Sequence, residues 1–148
     1  MAESALVPDD FEVPTEFAGP GFRLEPLGPE HNVADHAAWS GSIEHIHATA
    51  EMGKWPPAEG MTLEANLGDL QRHADDFAGR RGFTYTVLDP STDDVIGCVY
   101  LYPSRKPEYD AVLRSWVRAD RADLDCTLHT AVVDWLESSW PLGTLDHR

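Results

Sequence analysis

The basic side chains of this chain are unevenly distributed, which indicates where an anion would bind. None of the 11 Lys and Arg residues precedes Arg23, and five of them fall between positions 105 and 121. Guanidinium and ammonium groups bind phosphate and carboxylate oxygens through charge-assisted hydrogen bonds. If the protein binds an anion, we therefore expect the contact within this segment. Its five basic residues are Arg105, Lys106, Arg114, Arg118 and Arg121.

Histidine and cysteine are not arranged as in a metal or redox site. Histidines two residues apart, such as His45 and His47, face apart on a helix. The sequence contains neither an HExxH motif nor a closely spaced cysteine pair. Cys98 lies in an apolar strand pattern and Cys126 in a helical one, which favours small core side chains over a disulfide or a nucleophile. We expect no metal site.

Length and charge limit the class of protein. A chain of 148 residues is the size of one domain and is long enough to bury a core. The net charge of −15 argues against non-specific nucleic-acid binding, which depends on cations, and is typical of a solubilising surface. The start of the chain lacks a basic segment followed by an apolar one, and no run of 18 apolar residues occurs. We expect a cytoplasmic protein with no nucleic-acid or membrane partner.

The division of the chain follows from its prolines. Residues 1–20 form an acidic arm, and residues 21–148 form a single domain. Three prolines interrupt the arm and predict irregular structure there. Its apolar side chains, which would attach it to the domain, are Phe11, Val13 and Phe17.

The first half of the domain reads as one strand followed by helices. Phe22 to Leu27 is predicted to be a strand, and Pro29 to about Ile46 a helix broken near Ser40. Residues 47–60 contain Trp-Pro-Pro and are predicted to be a loop. A further helix begins after Thr62 as N-cap and ends at Gly82, with His73 on its polar side. Its predicted core-facing residues, at spacings of four and three, are Leu63, Leu67, Leu70, Ala74 and Phe77.

The second half reads as a meander and a helix. Alternating residues from Phe83, turn residues from Asp89 and a second apolar run from Val95 to Tyr102 predict an antiparallel hairpin. Val112 to Arg118 is predicted to be its third strand. A helical pattern follows and is stopped by Pro141.

Three segments, FRLEPLGPEH, FTYTVLDPSTDDVIGCVYLYP and LRSWVRADRADLD, occur in the order strand, hairpin, and strand into helix. With this order the chain resembles the GNAT family of acyl-CoA N-acyltransferases over roughly residues 21–140. The resemblance implies an α+β fold, an antiparallel meander sheet with flanking helices. Relative to the family the chain is expected to be shortened at its C-terminus, where residues 144–148 provide one short strand at most.

The resemblance also implies where acetyl-CoA or another acyl-CoA would bind. In the family, the backbone of the fourth strand bonds the pantetheine arm, which assigns Ser115, Trp116 and Val117 to that role. A glycine-rich loop that follows holds the pyrophosphate, which assigns Arg118 and Arg121. No glycine lies between Gly97 and Gly143, so helix capping by the acidic residues of this loop is the favoured alternative.

The acceptor site implied by the resemblance involves a different set of residues. Tyr100 and Tyr102 share one strand face, and Glu51 and Trp55 lie near the loop that covers the acceptor in this family. The alternatives are strand packing for the tyrosines, a solvated surface position for Glu51 and a core-covering position for Trp55. The general base and general acid are not identified.

Two functions follow from these expectations. The first is an N-acetyltransferase that transfers an acyl group to a small-molecule or peptide amine. The second is a non-catalytic GNAT-like binding or assembly module. A sheet of four strands would expose the edge of its last strand together with Leu113, Trp116 and Val117, which predicts a homodimer.

Overall fold

The computed structural model describes residues 6–147 and contains one six-stranded sheet with strand order β1-β2-β3-β4-β5-β6. The strands are β1 (Phe17–Gly19), β2 (Phe22–Pro26), β3 (Phe83–Leu88), β4 (Val95–Pro103), β5 (Ala111–Val117) and β6 (Leu145–His147). The helices are α1 (Asn32–Ser40), α2 (Ile43–Thr49), α3 (Leu63–Ala78) and α4 (Asp125–Ser139), with short 3-10 turns at Pro29–His31 and Ala119–Leu124.

The sheet is mixed. Strands β1 to β5 pair antiparallel in chain order, which confirms the predicted meander of β3, β4 and β5. Strand β6 returns beside β5 in the parallel direction. This return depends on the turn at Gly143, whose φ of 77° favours glycine, and on Asp110, whose Oδ2 accepts from the Thr144 amide at 2.9 Å. The fold class is α+β, as predicted.

Each face of the sheet carries its own core. One core lies beneath α4 and includes Phe83, Tyr85, Leu113 and Leu136. The other lies beneath α1, α2 and α3 and is built around residues that are almost completely buried. These are Trp39, Ile46, Cys98 and Trp116. Side chains alternate between the two faces along a strand. Tyr100 and the β4 residues two positions away from it therefore point toward helices α1 to α3.

Helix α3 is placed differently from its predicted orientation. Thr62 caps it as expected, since its Oγ1 accepts from the Ala65 amide at 3.0 Å, and the helix ends at Ala78, before Gly82. Leu63 and Leu67 are exposed, so their predicted core positions are wrong. Both lie in the first part of the helix. The buried side chains there are Asn66 and Leu70.

The N-terminal arm is more closely integrated than its prolines indicate. Leu6 and Val7 are buried in the core beneath α4. Phe17 stacks on Trp135, with ring centroids 4.3 Å apart, and begins β1, so the prediction of wholly irregular structure is wrong for residues 17–19. Phe11 and Val13 also pack against this core.

The expectation of an exposed sheet edge at the third meander strand is corrected. Strand β6 pairs with β5 from Ala111 to Leu113, and the sheet has six strands rather than four. Leu113, Trp116 and Val117 are each 1% exposed, so the apolar surface expected to drive dimerisation is buried within the chain. Dimerisation itself stays a prediction. No helix within residues 6–147 is long and apolar enough to cross a membrane.

Candidate functional site

A pocket of about 380 Å³ opens between helices α1 and α3 and the facing side chains of β4 and β5. Its size falls within the range of about 300–1,000 Å³ that is usual for small-ligand sites. Its aromatic side chains are Trp55, His73, Tyr100 and Tyr102. Its charged side chains are Asp35, Glu51, Asp69, Arg72 and Arg114.

The most deeply placed of these charged groups is Asp35 on α1, which is 4% exposed. Its Oδ2 accepts a hydrogen bond from Asn66 Nδ2 at 3.1 Å, and Asn66 Oδ1 accepts one from Trp39 Nε1, also at 3.1 Å. Burial raises the pKa of Asp35 to about 6, although the Asn66 hydrogen bond opposes the shift. The pocket thus has a buried carboxyl group that changes charge near neutral pH.

An aromatic wall stands beside this carboxyl group. Trp116 Nε1 donates to the Tyr100 hydroxyl at 2.9 Å, and burial raises the pKa of Tyr100 well above its ordinary value. The Trp55 ring lies 6.4 Å from that of Tyr100 and 5.5 Å from that of Trp39, measured between centroids. The loop after α2 therefore covers the pocket with Trp55.

A second polar group is centred on His73 of α3. Its Nδ1 lies 2.9 Å from the Tyr102 hydroxyl and 3.0 Å from Thr84 Oγ1. Tyr102 donates its own proton to Asp76 at 2.9 Å, which leaves the phenolic oxygen to accept from Nδ1 and assigns the ring lone pair to Nε2. Burial and the neighbouring Arg72 lower the pKa of His73 to about 4, so the ring is neutral at pH 7.

Arg114 on β5 joins three elements at one side of the pocket. Its Nε donates to the main-chain oxygen of Glu51 at 3.1 Å, and its Nη1 donates to that of Leu113 at 2.8 Å. Its Nη2 lies 3.3 Å from Asp146 Oδ2 on β6. This guanidinium holds the loop after α2 in place beside β5 and β6.

On the side that faces β6, strand β5 is paired over only part of its length within residues 6–147. The Ala111 amide donates toward β6, whereas the Arg118 amide donates toward β4. Because successive amides of a strand alternate between its two edges, those of Ser115 and Val117 point to the β6 side. Within residues 6–147, β6 pairs with β5 only as far as Leu113. Among the strands of the described chain, none pairs with the β6 side of β5 at Ser115 and Val117.

The two arginines assigned to the pyrophosphate are both engaged in ion pairs. Arg118 Nη2 lies 2.9 Å from Asp120 Oδ2, and Arg121 Nη2 lies 2.7 Å from Asp89 Oδ2. These hydrogen bonds lower the pKa values of Asp120 and Asp89. Both carboxylates thus occupy the guanidinium groups that a phosphate would use.

The loop between β5 and α4 is a 3-10 helix, Ala119–Leu124. Its first amide, that of Ala119, donates to the buried hydroxyl of Ser42 at 2.9 Å. The N-cap positions of this turn and of α4 are Arg118 and Leu124, whose side chains have no hydrogen-bond acceptor. Asp120 lies in the first turn of this 3-10 helix and Asp125 in the first turn of α4, where the capping alternative expects acidic residues, and Asp120 also pairs with Arg118.

The structure separates the sequence-predicted residues into two groups. Glu51, Trp55, Tyr100 and Tyr102, assigned to the acceptor, line the same pocket. The residues assigned to the cofactor lie along β5 and its following turn. Ser115 lies on the opposite face of the sheet from Tyr100. Trp116 lies on the same face as Tyr100 and is buried. Their assignment to ligand binding stays a prediction.

Asp35 and His73 are among the pocket residues that the sequence analysis does not assign to the site. Asp35 was not identified at all, although it lies four residues before the buried Trp39 and thus on the same helical face. His73 was assigned to the polar side of its helix, which is wrong, because it contacts Thr84 of the sheet. Its spacing of three from Leu70 and four from Phe77 was a usable signal.

Sequence comparison alone identifies no relative: no protein-family model matches the chain, and no curated protein matches it. Comparison of the fold with solved structures gives clear matches. One is a ribosomal-protein-S5-alanine acetyltransferase from Vibrio fischeri, with a TM-score of 0.62 and 16% identity over 82% of this chain. Another is RimL, a ribosomal L7/L12 α-N-protein acetyltransferase, with a TM-score of 0.61 and 12% identity over 89% of this chain.

A third match is the microcin C7 self-immunity acetyltransferase MccE, whose structure contains acetyl-CoA and AMP; the TM-score is 0.58 and the identity 12% over 92% of this chain. The chain spans 66%, 70% and 71% of these three proteins respectively, or about two thirds of their length. Identities this low establish shape and not activity. The chain has the α+β fold of the GNAT acetyltransferases.

Proposed function

We propose that the protein transfers an acyl group from an acyl-CoA to an amine held in the pocket between α1, α3 and the sheet. The observation that carries this proposal is the buried carboxyl group of Asp35 inside an aromatic pocket of a GNAT fold. A carboxylate placed among aromatic rings suits a cationic amine, because it supplies the counter-charge while the rings face the cation.

Asp35 is the residue we assign to proton transfer. An alkyl amine has a pKa near that of lysine, about 10.4, and must lose a proton before it attacks a carbonyl carbon. With a pKa of about 6, Asp35 is ionised at pH 7 and is a stronger base than an ordinary aspartate. It first pairs with the ammonium group and then accepts its proton.

His73 and Tyr102 support this arrangement from the other side of the pocket. The neutral His73 ring carries no charge that would repel an ammonium group at pH 7. Tyr102, whose pKa burial raises to about 12, stays protonated and keeps its hydrogen bond to Asp76. Among the described residues that line the pocket, Asp35 is therefore the proton acceptor whose pKa lies near 6.

The β5 edge is the part of the chain that fits an acyl-CoA. The amides of Ser115 and Val117 would bond the pantetheine arm, as the resemblance to the family implies. Arg118 and Arg121 would bind the phosphates by exchanging their present carboxylate partners, Asp120 and Asp89. When bound, the cofactor would supply an acyl thioester, whose carbon–sulfur bond breaks as the amine nitrogen forms the amide bond, and CoA leaves as a thiol that takes the second amine proton.

The test is release of CoA thiol from acetyl-CoA in the presence of a panel of primary amines. Asp35→Asn keeps the size of the side chain and an acceptor for Asn66, and we expect it to lower kcat by about 10²-fold or more. Asp134→Asn, the same change at an exposed position on α4, is the matched control and should leave the rate unchanged. Equal rates for the wild type and Asp35→Asn would refute the role of Asp35. Absence of thiol release with every amine would refute the transferase itself.

A further inference from the structure

From the distribution of charge around the pocket, we infer that the acceptor carries an anionic group, a carboxylate or a phosphate, in addition to its amine. This inference rests on the proposed function and specifies its substrate class. It depends on a separation between an acidic interior and a basic entrance. The two parts share Arg72 and Arg114, but Asp35 lines only the interior, and Arg105 and Lys106 line only the entrance.

The interior of the pocket is acidic. Asp35 is its buried carboxyl group, and the half-buried Asp69 and the exposed Glu51 are the other carboxylates among the described residues that line it. An ammonium group that enters is therefore attracted inward. An anion at the same depth would be repelled by these carboxylates.

The entrance is basic. A second, outer cleft shares Arg72, His73, Tyr102 and Arg114 with the pocket and is continuous with it. Its lining adds Arg105 and Lys106, so that four of the 11 basic residues of the chain lie around one opening. Within residues 6–147, Asp146 is the one carboxylate in this lining. For a protein with a net charge of −15, this is a marked local excess of positive charge.

Two of these four basic side chains already form ion pairs that hold the sheet together. Lys106 Nζ and Arg114 Nη2 both lie 3.3 Å from Asp146 Oδ2, and they hold β6 beside β5. Arg72 makes only a long contact of 3.6 Å with Asp69 and its side chain is 59% exposed. Arg105 is exposed and forms no ion pair with any residue from 6 to 147. Arg72 and Arg105 are thus the cations available to a ligand.

The two regions together match a molecule with charges of both signs. Its ammonium group would bind at Asp35, and its anionic group would remain at the entrance beside Arg72 and Arg105. A simple cationic amine that approaches Asp35 through this opening would pass Arg72 and Arg105, whose positive charges disfavour it. The entrance thereby selects against amines that the interior alone would accept.

The test compares matched amines that differ in the anionic group. Phenylalanine is compared with phenethylamine for a carboxylate, and phosphoethanolamine with ethanolamine for a phosphate, with acetyl-CoA as donor and kcat/KM as readout. We expect the anionic member of at least one pair to be preferred about tenfold or more. The pair that shows the preference identifies the type of anion.

Variants test whether the basic entrance causes the preference for the amine with an anionic group. Arg72→Ala and Arg105→Ala should raise KM for the amine that carries the anionic group, and leave kcat and the kinetics of its partner without that group nearly unchanged. Arg23→Ala removes an equal charge at the other end of the sheet, beside Asp93, and is the control. Equal kcat/KM values within both pairs, or a preference that survives both entrance variants, would overturn the inference while leaving the transferase intact.

A binding measurement distinguishes failure of the proposed function from failure of this inference. If no amine is acetylated, the shift in melting temperature caused by each amine alone is compared within the two pairs. A larger shift for the anionic member, lost in Arg105→Ala, would retain the zwitterion site without catalysis. Equal shifts within each pair would reject it.

Discussion

Arg114 and Asp146 are joined at two points where β5 and β6 lie side by side. Nη2 of Arg114 is 3.3 Å from Asp146 Oδ2, and Nη1 is 3.3 Å from the main-chain oxygen of the same residue. Nη1 also donates to the main-chain oxygen of Leu113. Burial opposes the ionisation of Asp146, but hydrogen bonds from Lys106 and Arg114 outweigh it, so the pKa of Asp146 is lowered. A single guanidinium therefore links two strands and an anionic side chain.

Replacement of Arg114 by lysine should loosen β6 and the loop after α2 together. An ammonium group lacks the planar fork that reaches both strand oxygens and Glu51, so Arg114→Lys keeps the charge but loses most of these bonds. We expect roughly tenfold faster amide hydrogen exchange for residues 145–147 and near Glu51. Arg121→Lys, which affects a single surface pair, is the control. Unchanged exchange in Arg114→Lys would show that the three elements are held by other contacts.

Removal of the Tyr100 hydroxyl should destabilise the domain more than the same change at Tyr102. In Tyr100→Phe the buried indole N–H of Trp116 loses its acceptor, which should cost about 1–3 kcal/mol of unfolding free energy. Tyr102 bonds Asp76 and His73 nearer the outer cleft, where water can replace its hydroxyl in Tyr102→Phe. Urea denaturation measures both variants. A larger loss for Tyr102→Phe would contradict this ranking.

The stability of Asp35→Asn relative to the wild type should depend on pH. The pKa of Asp35 is about 6 in the folded protein and near 3.8 for an ordinary aspartate, so folding favours its protonated form. The stability gained from protonation is present below pH 3.8 and is lost as the pH rises through 6. The asparagine side chain of the variant cannot ionise. At pH 7 the variant should therefore be about 2–3 kcal/mol more stable than the wild type, with little difference at about pH 4.

This prediction is tested by measuring the melting temperatures of the wild type and of Asp35→Asn at pH 4 and at pH 7. The difference between the two proteins is then compared at the two pH values. Asp134→Asn should show no pH-dependent difference, since that residue is exposed. A constant difference for Asp35→Asn at both pH values would mean that Asp35 has an ordinary pKa. A site that reduces stability in this way is expected where a buried charge is kept for function.

The sequence predicted the repeating elements well and the short ones poorly. The meander follows from alternating residues and from turn residues such as Asp89, and Thr62 is a recognisable N-cap. Strands β1 and β6 have three residues each, too few to give a periodic signal, and form because neighbouring strands offer partners. The exposure of Leu63 and Leu67 reflects where α3 lies on the sheet, which periodicity cannot specify.

The site was predicted in its aromatic part and missed in its polar part. Tyr100 and Tyr102 share a face because strand residues alternate, and Trp55 reaches them through a loop whose path only the resemblance indicated. Asp35 and Asn66 are polar residues on helices, where solvent exposure is the usual expectation. Their burial depends on each other and on Trp39, a contact between two helices that no local pattern encodes.

Equilibrium dialysis with labelled acetyl-CoA tests the central claim, that this GNAT fold binds an acyl-CoA along the β6 side of β5 beyond Leu113. We predict one molecule bound per chain in the wild type. Ser115→Pro removes one amide on that edge and leaves the β4 ladder intact, so it should weaken binding about tenfold with little change in melting temperature. Asp35→Asn, which alters the acceptor pocket, should bind acetyl-CoA as the wild type does. No bound acetyl-CoA at millimolar concentration, or equal binding by the wild type and Ser115→Pro, would contradict the account.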